Sequence, residues 1–157
     1  MARWVGPRFA AVLLVDWGGD ADDEEGRYLS SEIEIFRRVG DRWEPPASGG
    51  GGGWFDPPFV RPDMPADYAM LGHFHDGGGP LQGPSEQHPA WRYSSAYGFT
   101  GTAAETVEVE DEDGTMKAPI ESPLGVFIVV ADATQRAVVR VRRGDGKILL
   151  EQRFSPP

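Results

Sequence analysis

The stretch that decides the fold is residues 125–154, GVFIVVADATQRAVVRVRRGDGKILLEQRF. Its first part, GVFIVVAD, is apolar at both alternating sets of positions, which is typical of a strand covered on both faces. The remainder alternates apolar and polar residues on either side of Asp145 and Gly146, with Val139 and Val141 on the first arm. Because an Asp-Gly pair between alternating segments favours a tight turn, this stretch predicts a central strand followed by a β-hairpin.

The rest of the chain extends this pattern. The second arm of the hairpin alternates Ile148 with Leu150, ETVEVE places Val107 and Val109 on one face, and SSEIEIF alternates in the same way. Residues 9–16, FAAVLLVD, are apolar on both sets and predict another strand covered on both faces. Short strands about ten residues apart, joined by turns, predict an all-β fold. We expect one domain over residues 1–157, an antiparallel β-sandwich of immunoglobulin-like or jelly-roll-like type.

Two segments interrupt the strand pattern. Residues 44–66 contain five consecutive glycines and several prolines, and residues 76–90 are again rich in both. Proline cannot donate to a sheet ladder and glycine favours no single backbone conformation. The composition therefore predicts long irregular loops over 44–66 and 76–90, within the sandwich domain.

Charge excludes some classes of partner. The chain of 157 residues carries a formal charge of −10, with 25 acidic and 15 basic residues. Binding to nucleic acid or to anionic lipid depends on lysine and arginine displacing counterions. We expect neither nucleic acid nor a membrane as partner. The absence of cysteine also excludes disulfides, thiolate metal sites and cysteine nucleophiles.

The beginning of the chain imitates a short signal peptide, since two arginines precede the apolar residues 9–15. No cleavage site of small residues follows, and Asp16 and Trp17 end the apolar run. A β-strand is the preferred interpretation of these residues. We accordingly expect a cytoplasmic protein, with secretion as the alternative.

A histidine pair is the most site-like motif. Side chains alternate along a strand, so His73 and His75 would share a face and could chelate one divalent metal ion, with His88 as a further ligand. The spacing departs from the cupin motif, in which a glycine stands at the position of Asp67. The preferred interpretation is therefore a strand end at the rim of the sheet, with no cofactor. A metal-dependent enzyme or metal-binding β-barrel centred on His73 and His75 is the alternative.

Aromatic residues gather around the two predicted loops. Too many of them are present to lie exposed without consequence, because large exposed apolar patches normally mark interfaces. The predicted binding residues are Trp43, Trp54, Phe55, Phe59, Trp91 and Tyr93. We expect a non-enzymatic interaction module that recognises a protein partner through these aromatic, Gly/Pro-rich loops. A carbohydrate-binding sandwich, with Trp54 or Trp91 as a stacking platform, is a further alternative.

No motif identifies a reaction. The sequence contains no G-x-S-x-G elbow and no phosphate-binding loop, and GGGGGW has neither a lysine nor a helix start. No catalytic residue is therefore predicted, and a non-enzymatic role is preferred over an enzymatic one.

Overall fold

A computed structural model of the chain describes residues 1–18, 27–55, 64–79, 91–121 and 123–154. Strands make up 73% of the structure, and the described residues contain no helix. A helix able to cross a membrane is accordingly not found among them. The prediction of an all-β fold is confirmed.

The described residues form eleven strands. They are β1 Ala2–Val5, β2 Phe9–Gly18, β3 Arg27–Val39, β4 Arg42–Phe55, β5 Ala69–Gly79, β6 Trp91–Thr100, β7 Ala104–Asp111, β8 Gly114–Ala118, β9 Val126–Asp132, β10 Ala137–Arg143 and β11 Ile148–Phe154.

These strands form three antiparallel sheets, and the described strands do not close into a barrel. The N-terminal sheet has the order β1-β2-β3-β4, in which every connection joins neighbouring strands. The central sheet has the order β5-β6-β9, and the C-terminal sheet has the order β11-β10-β7-β8.

Strand β9 lies at the centre of the core. Its residues Val126 to Ala131 are at most 4% exposed. Its neighbours come from both other sheets, because β9 contacts β1 and β2 as well as β7 and β8. Residues of both strand faces are thereby removed from water, which explains the continuous apolar run. The prediction that both faces of GVFIVVAD are covered is confirmed, although β9 is an edge strand of its own sheet.

Strand β2 is an inner strand of its sheet, between β1 and β3, but the prediction that both of its faces are covered is wrong. Phe9, Ala11 and Leu13 are buried, but Leu14 on the opposite face is 45% exposed. The N-terminal sheet packs on the central sheet with one face only among the described residues. A strand with apolar residues at both its odd and its even positions can therefore have both faces covered or one apolar face exposed, and the sequence pattern alone does not distinguish the two.

The predicted irregular loop over 44–66 is wrong for residues 44–55, which belong to β4 and pair with β3. Ile35 pairs with Ala47 and Arg37 with Glu44, so β4 contains one more residue than β3 between these two pairs. The prolines at 45 and 46 fall within this irregularity, at the edge of the sheet, where a missing N–H donor is tolerated. Residues 56–63 lie outside the described residues.

The predicted loop over 76–90 is likewise wrong for residues 76–79, because β5 continues to Gly79. Gly77 and Gly79 pair with Tyr93 and Trp91. A Cβ added at Gly77 would lie 2.5 Å from the hydroxyl oxygen of Tyr93. Glycine is thus required here for the close approach of an aromatic side chain, and it does not begin a loop. Residues 80–90 lie outside the described residues.

The C-terminal hairpin forms around Asp145 and Gly146 as predicted, and Gly146 adopts a φ of 86°. Val139 and Val141 are buried. Ile148 is 43% exposed, contrary to its predicted place on the apolar face of the second arm. The reason is a register shift beside Val141, which interrupts the alternation at the start of β11.

Candidate functional site

Two of the predicted binding residues lie in an aromatic cluster between the N-terminal and central sheets. The rings of Trp91 and Tyr93, at the start of β6, are stacked with centroids 5.9 Å apart. Phe9 of β2 contacts both rings, at centroid distances of 6.1 and 6.2 Å. Phe9 and Tyr93 are buried and Trp91 is half-buried. The contacts among these three rings pack the N-terminal sheet against the central sheet at the start of β2 and of β6.

Tyr93 has the environment of a core residue. Burial raises the pKa of its phenol above the ordinary value, and the nearby carboxylate of Asp76 raises it further. Both causes disfavour the phenolate. Tyr93 therefore supports the site as a neutral ring and supplies no base near neutral pH.

Two arginines at the end of β3 extend the aromatic cluster to the surface. The guanidinium carbon of Arg37 lies 5.6 Å from the ring centroid of Trp91. That of Arg38 lies 5.9 Å from the ring of Trp43, which is 40% exposed. Such distances are those of cation–π contacts. The structure thereby places Trp91 and Tyr93 in one cluster, and Trp43 at the same end of β3 but against the opposite face of the strand.

A cavity of about 270 Å³ lies among these residues. We call it the arginine pocket, and it is lined by Arg8, Phe9, Arg37, Arg38, Trp91, Arg92, Asp132 and Thr134. Its volume is close to the lower limit of small-molecule sites, which is about 300 Å³. Its lining contains four arginines and one aspartate. The pocket is therefore a cationic site on an acidic protein.

The ends of four strands position the lining of the pocket. Phe9 of β2 pairs with Arg37 of β3, and the carbonyl of Arg8 accepts a 2.8 Å hydrogen bond from the amide of Arg38. On the central sheet, the amide that follows Asp132 donates to the carbonyl of Arg92. The backbone ladders of both sheets thus fix the arginines relative to one another.

Arg8 joins all three sheets. From the turn between β1 and β2, its Nη1 donates to Asp132 at the end of β9, over 2.9 Å. Its Nε and Nη2 contact both carboxylate oxygens of Asp113, between β7 and β8, at 2.9 and 3.2 Å. Two carboxylates therefore neutralise this guanidinium.

Asp132 is committed to structural contacts. Its Oδ1 accepts hydrogen bonds from the amide and the hydroxyl of Thr134, at 2.9 and 2.6 Å. Burial works against the charged form, but the bonds from Thr134 and Arg8 outweigh burial and lower the pKa of this carboxyl below its ordinary value. Asp132 therefore stays ionised, and its oxygens accept hydrogen bonds from Thr134 and Arg8. It does not neutralise the charge of the other three arginines.

Those three, Arg37, Arg38 and Arg92, form no ion pair within the described part of the chain. Within the described residues, only Arg38 has a side-chain hydrogen bond among them, from Nε to the carbonyl of Gly40 over 3.2 Å. Their other N–H donors have no partner in that part of the chain. Chemically, this arrangement is suited to binding oxyanions.

Strand β5 carries the backbone of His73 and His75. Gly72 pairs with Tyr97 and His75 with Ser95, so β5 advances by three residues where β6 advances by two, which indicates a bulge in β5. The bulge interrupts the alternation of side chains on which the predicted shared face of His73 and His75 depends. Their side chains, and His88 altogether, lie outside the described residues. Elsewhere in the described residues, no group of three potential ligands could hold a metal ion. The histidine site stays a prediction.

Trp54 and Phe55 occupy the opposite end of β4 from Trp43. Trp43 pairs with Arg38, whereas Trp54 pairs with Tyr28. At roughly 3.3 Å per residue, the two tryptophan positions lie about 35 Å apart along the strand. The structure therefore does not bring the backbone of Trp54 and Phe55 to the arginine pocket. Their side chains, and Phe59 altogether, lie outside the described residues.

The sequence interpretation missed the arginines of the pocket. One local signal was available, the pair Arg37-Arg38 in an otherwise acidic chain, beside residues that alternate as a strand. Nothing in the sequence places Arg92, fifty-four residues after Arg38, against that pair. Comparisons with known proteins add nothing to this assignment, since the chain matches no protein-family model, no curated protein and no solved structure.

Proposed function

We propose that the protein is a non-enzymatic interaction module that binds a protein partner through the arginine pocket and the adjoining Trp43. The observation that carries this proposal is a cavity lined by four arginines and Trp91, with Trp43 in contact with the lining residue Arg38. Arginine, tryptophan and tyrosine are the residues most enriched at the energetic centres of protein interfaces. The half-buried Trp91 and the buried Tyr93 support this surface from below.

Rigidity of the surface also supports the proposal. The aromatic cluster of Phe9, Trp91 and Tyr93 holds the floor of the pocket, and the ladders of two sheets hold its walls. A preformed surface loses little conformational entropy when a partner binds. We further propose that the three sheets form an elaborated β-sandwich, of immunoglobulin-like or jelly-roll-like type, that serves as a scaffold for this surface.

The test is quantitative affinity purification from a native extract with wild-type protein, Trp43→Ala and Leu14→Ala. Trp43 and Leu14 belong to the same sheet and are 40% and 45% exposed, so Leu14→Ala is a matched control. We expect at least one protein to be retained by the wild type and the control and lost with Trp43→Ala. That protein, once purified, should bind the wild type directly in calorimetry. A set of retained proteins that is identical for all three baits would refute the proposed surface.

A further inference from the structure

We infer that the ligand of the arginine pocket is an acidic peptide segment, whose aspartate or glutamate carboxylates are bound by Arg37, Arg38 and Arg92. This inference rests on the proposed function and specifies the chemistry of the partner. Its basis is the set of arginines for which the described residues supply no carboxylate, in a chain where acidic residues outnumber basic ones by 25 to 15.

Two arginines of β10 are paired with carboxylates of neighbouring strands. On β10, Arg140 is bonded to Glu110 and Glu151, and the Nε of Arg142 donates to Glu108 over 2.8 Å. In the pocket, Glu44 lies opposite Arg37 in the β3–β4 ladder without forming an ion pair with it, and Arg37 and Arg38 contact tryptophan rings. Three cations that line one cavity without an ion pair among the described residues repel one another, and an anionic ligand would relieve that repulsion.

The aromatic contacts leave the hydrogen-bonding capacity of the guanidinium groups intact. A cation–π contact is made to the face of the tryptophan ring and consumes no N–H donor. Arg37 on Trp91 and Arg38 on Trp43 are therefore restrained while retaining donors for an outside group. The planar guanidinium fork matches the two oxygens of a carboxylate, and charge-assisted pairs of this kind are stronger than neutral hydrogen bonds.

The distribution of charge favours an extended carboxylate ligand over a single phosphate group. Arg37 and Arg38 are consecutive on β3, so their side chains leave opposite faces of the strand, towards different tryptophans. Arg92 approaches from the central sheet. Positive charge is thus spread along the pocket, and this arrangement suits several carboxylates of one segment.

The experiment measures fluorescence anisotropy of a labelled peptide of alternating glutamate and glycine, titrated with the full chain at low and at physiological salt. Two further peptides replace every glutamate by glutamine or by phosphoserine. The protein variants are Arg37→Gln, Arg92→Gln and the control Arg153→Gln. Arg153 belongs to β11 of the C-terminal sheet, and its side chain is 77% exposed. All three substitutions remove one positive charge.

We expect the glutamate peptide to bind and the glutamine peptide not to bind. Loss of one charged hydrogen-bonding partner should weaken binding by at least about tenfold for Arg37→Gln and Arg92→Gln. Arg153→Gln should change the affinity by less than about twofold, because only screened long-range charge is altered. Since Arg37 also contacts Trp91, Arg37→Lys should recover part of the affinity, and an unaltered near-ultraviolet circular dichroism spectrum should show that the aromatic cluster is intact.

Three results would overturn the inference. If Arg153→Gln weakens binding of the glutamate peptide as much as the pocket variants do, the attraction is non-specific. Binding of the phosphoserine peptide alone would identify a phosphate site. Saturation of the pocket by a second copy of the chain would identify self-association. Failure of the glutamate peptide while a Trp43-dependent partner is still retained would overturn the carboxylate ligand and leave the proposed function standing. Glutamate-peptide binding without any Trp43-dependent partner would instead refute the proposed function.

Discussion

Arginine has different neighbours in two regions of this molecule. On β10, Arg140 is paired with Glu110 of β7 and Glu151 of β11, and Arg142 with Glu108 of β7, so each cation is neutralised by an adjacent strand of its own sheet. In the arginine pocket, Arg37 and Arg38 lie against tryptophans, and no carboxylate of the described residues pairs with them.

The comparison distinguishes two roles of arginine, one in ion pairs between strands and one in contact with an aromatic ring. Cross-strand ion pairs between neighbouring strands contribute to the pairing and register of a sheet. An arginine restrained by an aromatic face contributes little to register and keeps its donors for another molecule. The four predictions that follow test this distinction through the stability of the protein.

The largest expected effect concerns the floor of the pocket. Phe9→Ala should lower the free energy of unfolding by about 3 to 4 kcal/mol, because it removes a buried ring that contacts Trp91 and Tyr93. Urea denaturation measures this loss. Leu14→Ala, on the exposed face of the same strand, should cost less than about 1 kcal/mol. Similar losses for the two variants would show that the aromatic cluster is not part of the core.

The next effect concerns Asp132, the one carboxylate that lines the pocket. Asp132→Asn should lower the free energy of unfolding at neutral pH by about 1 to 2 kcal/mol, since charge-assisted bonds to Thr134 and to the partly exposed Arg8 are weakened. Because the folded pKa lies below the unfolded value, this contribution is complete above an ordinary aspartate pKa of about 3.9.

The same contribution should be lost as pH falls through the lowered pKa of the folded state. Thermal unfolding of the wild type across the acid range should therefore show a steeper loss of stability than that of Asp132→Asn. Parallel profiles for the two proteins would mean that Asp132 has the same pKa folded and unfolded.

A smaller effect is expected on β10. Arg142→Gln and Glu108→Gln, singly and combined, form a double-mutant cycle across β10 and β7. The coupling free energy should be about 0.5 to 1 kcal/mol, since the pair is partly exposed to solvent. High salt should reduce it. Zero coupling at low salt would remove the contrast between paired and unpaired arginines.

The smallest effect is expected for the unpaired arginines. Arg92→Gln should change the free energy of unfolding by no more than about 0.5 kcal/mol, because it breaks no ion pair in the described structure. Urea denaturation of Arg92→Gln beside Arg142→Gln gives the comparison. A loss for Arg92→Gln as large as that for Arg142→Gln would assign Arg92 a structural role.

Much of the strand pattern could be predicted from local sequence. The buried run of β9 and the hairpin around Gly146 follow from side-chain alternation and turn chemistry, which are properties of neighbouring residues. The exposure of Ile148 could not be predicted, because it depends on a register shift between β10 and β11. Composition predicted a loop at β4, where pairing with β3 and placement of the prolines in a register irregularity allow a strand.

The site was predictable only in part. Residue type selected Trp91 and Tyr93, whose rings stack beside the arginine pocket, and Trp43, which contacts Arg38 on the other face of β3. The pocket itself depends on the pairing of Phe9 with Arg37 and on contact between two sheets. Such long-range proximity has no periodic signature in one sequence, so Arg92 carried no signal beside its neighbour Trp91.

The central place of β9 has a consequence for how the chain folds. The N-terminal sheet is a meander of neighbouring strands, whereas β9 pairs with β6 across a long stretch of chain that includes β7 and β8. Contacts between distant segments require loop closure before they are formed, which slows folding of β-proteins to milliseconds or seconds. We therefore expect local hairpins to form early and β9 to be enclosed late, so that Val129→Ala lowers the refolding rate little and accelerates unfolding, as stopped-flow kinetics can measure.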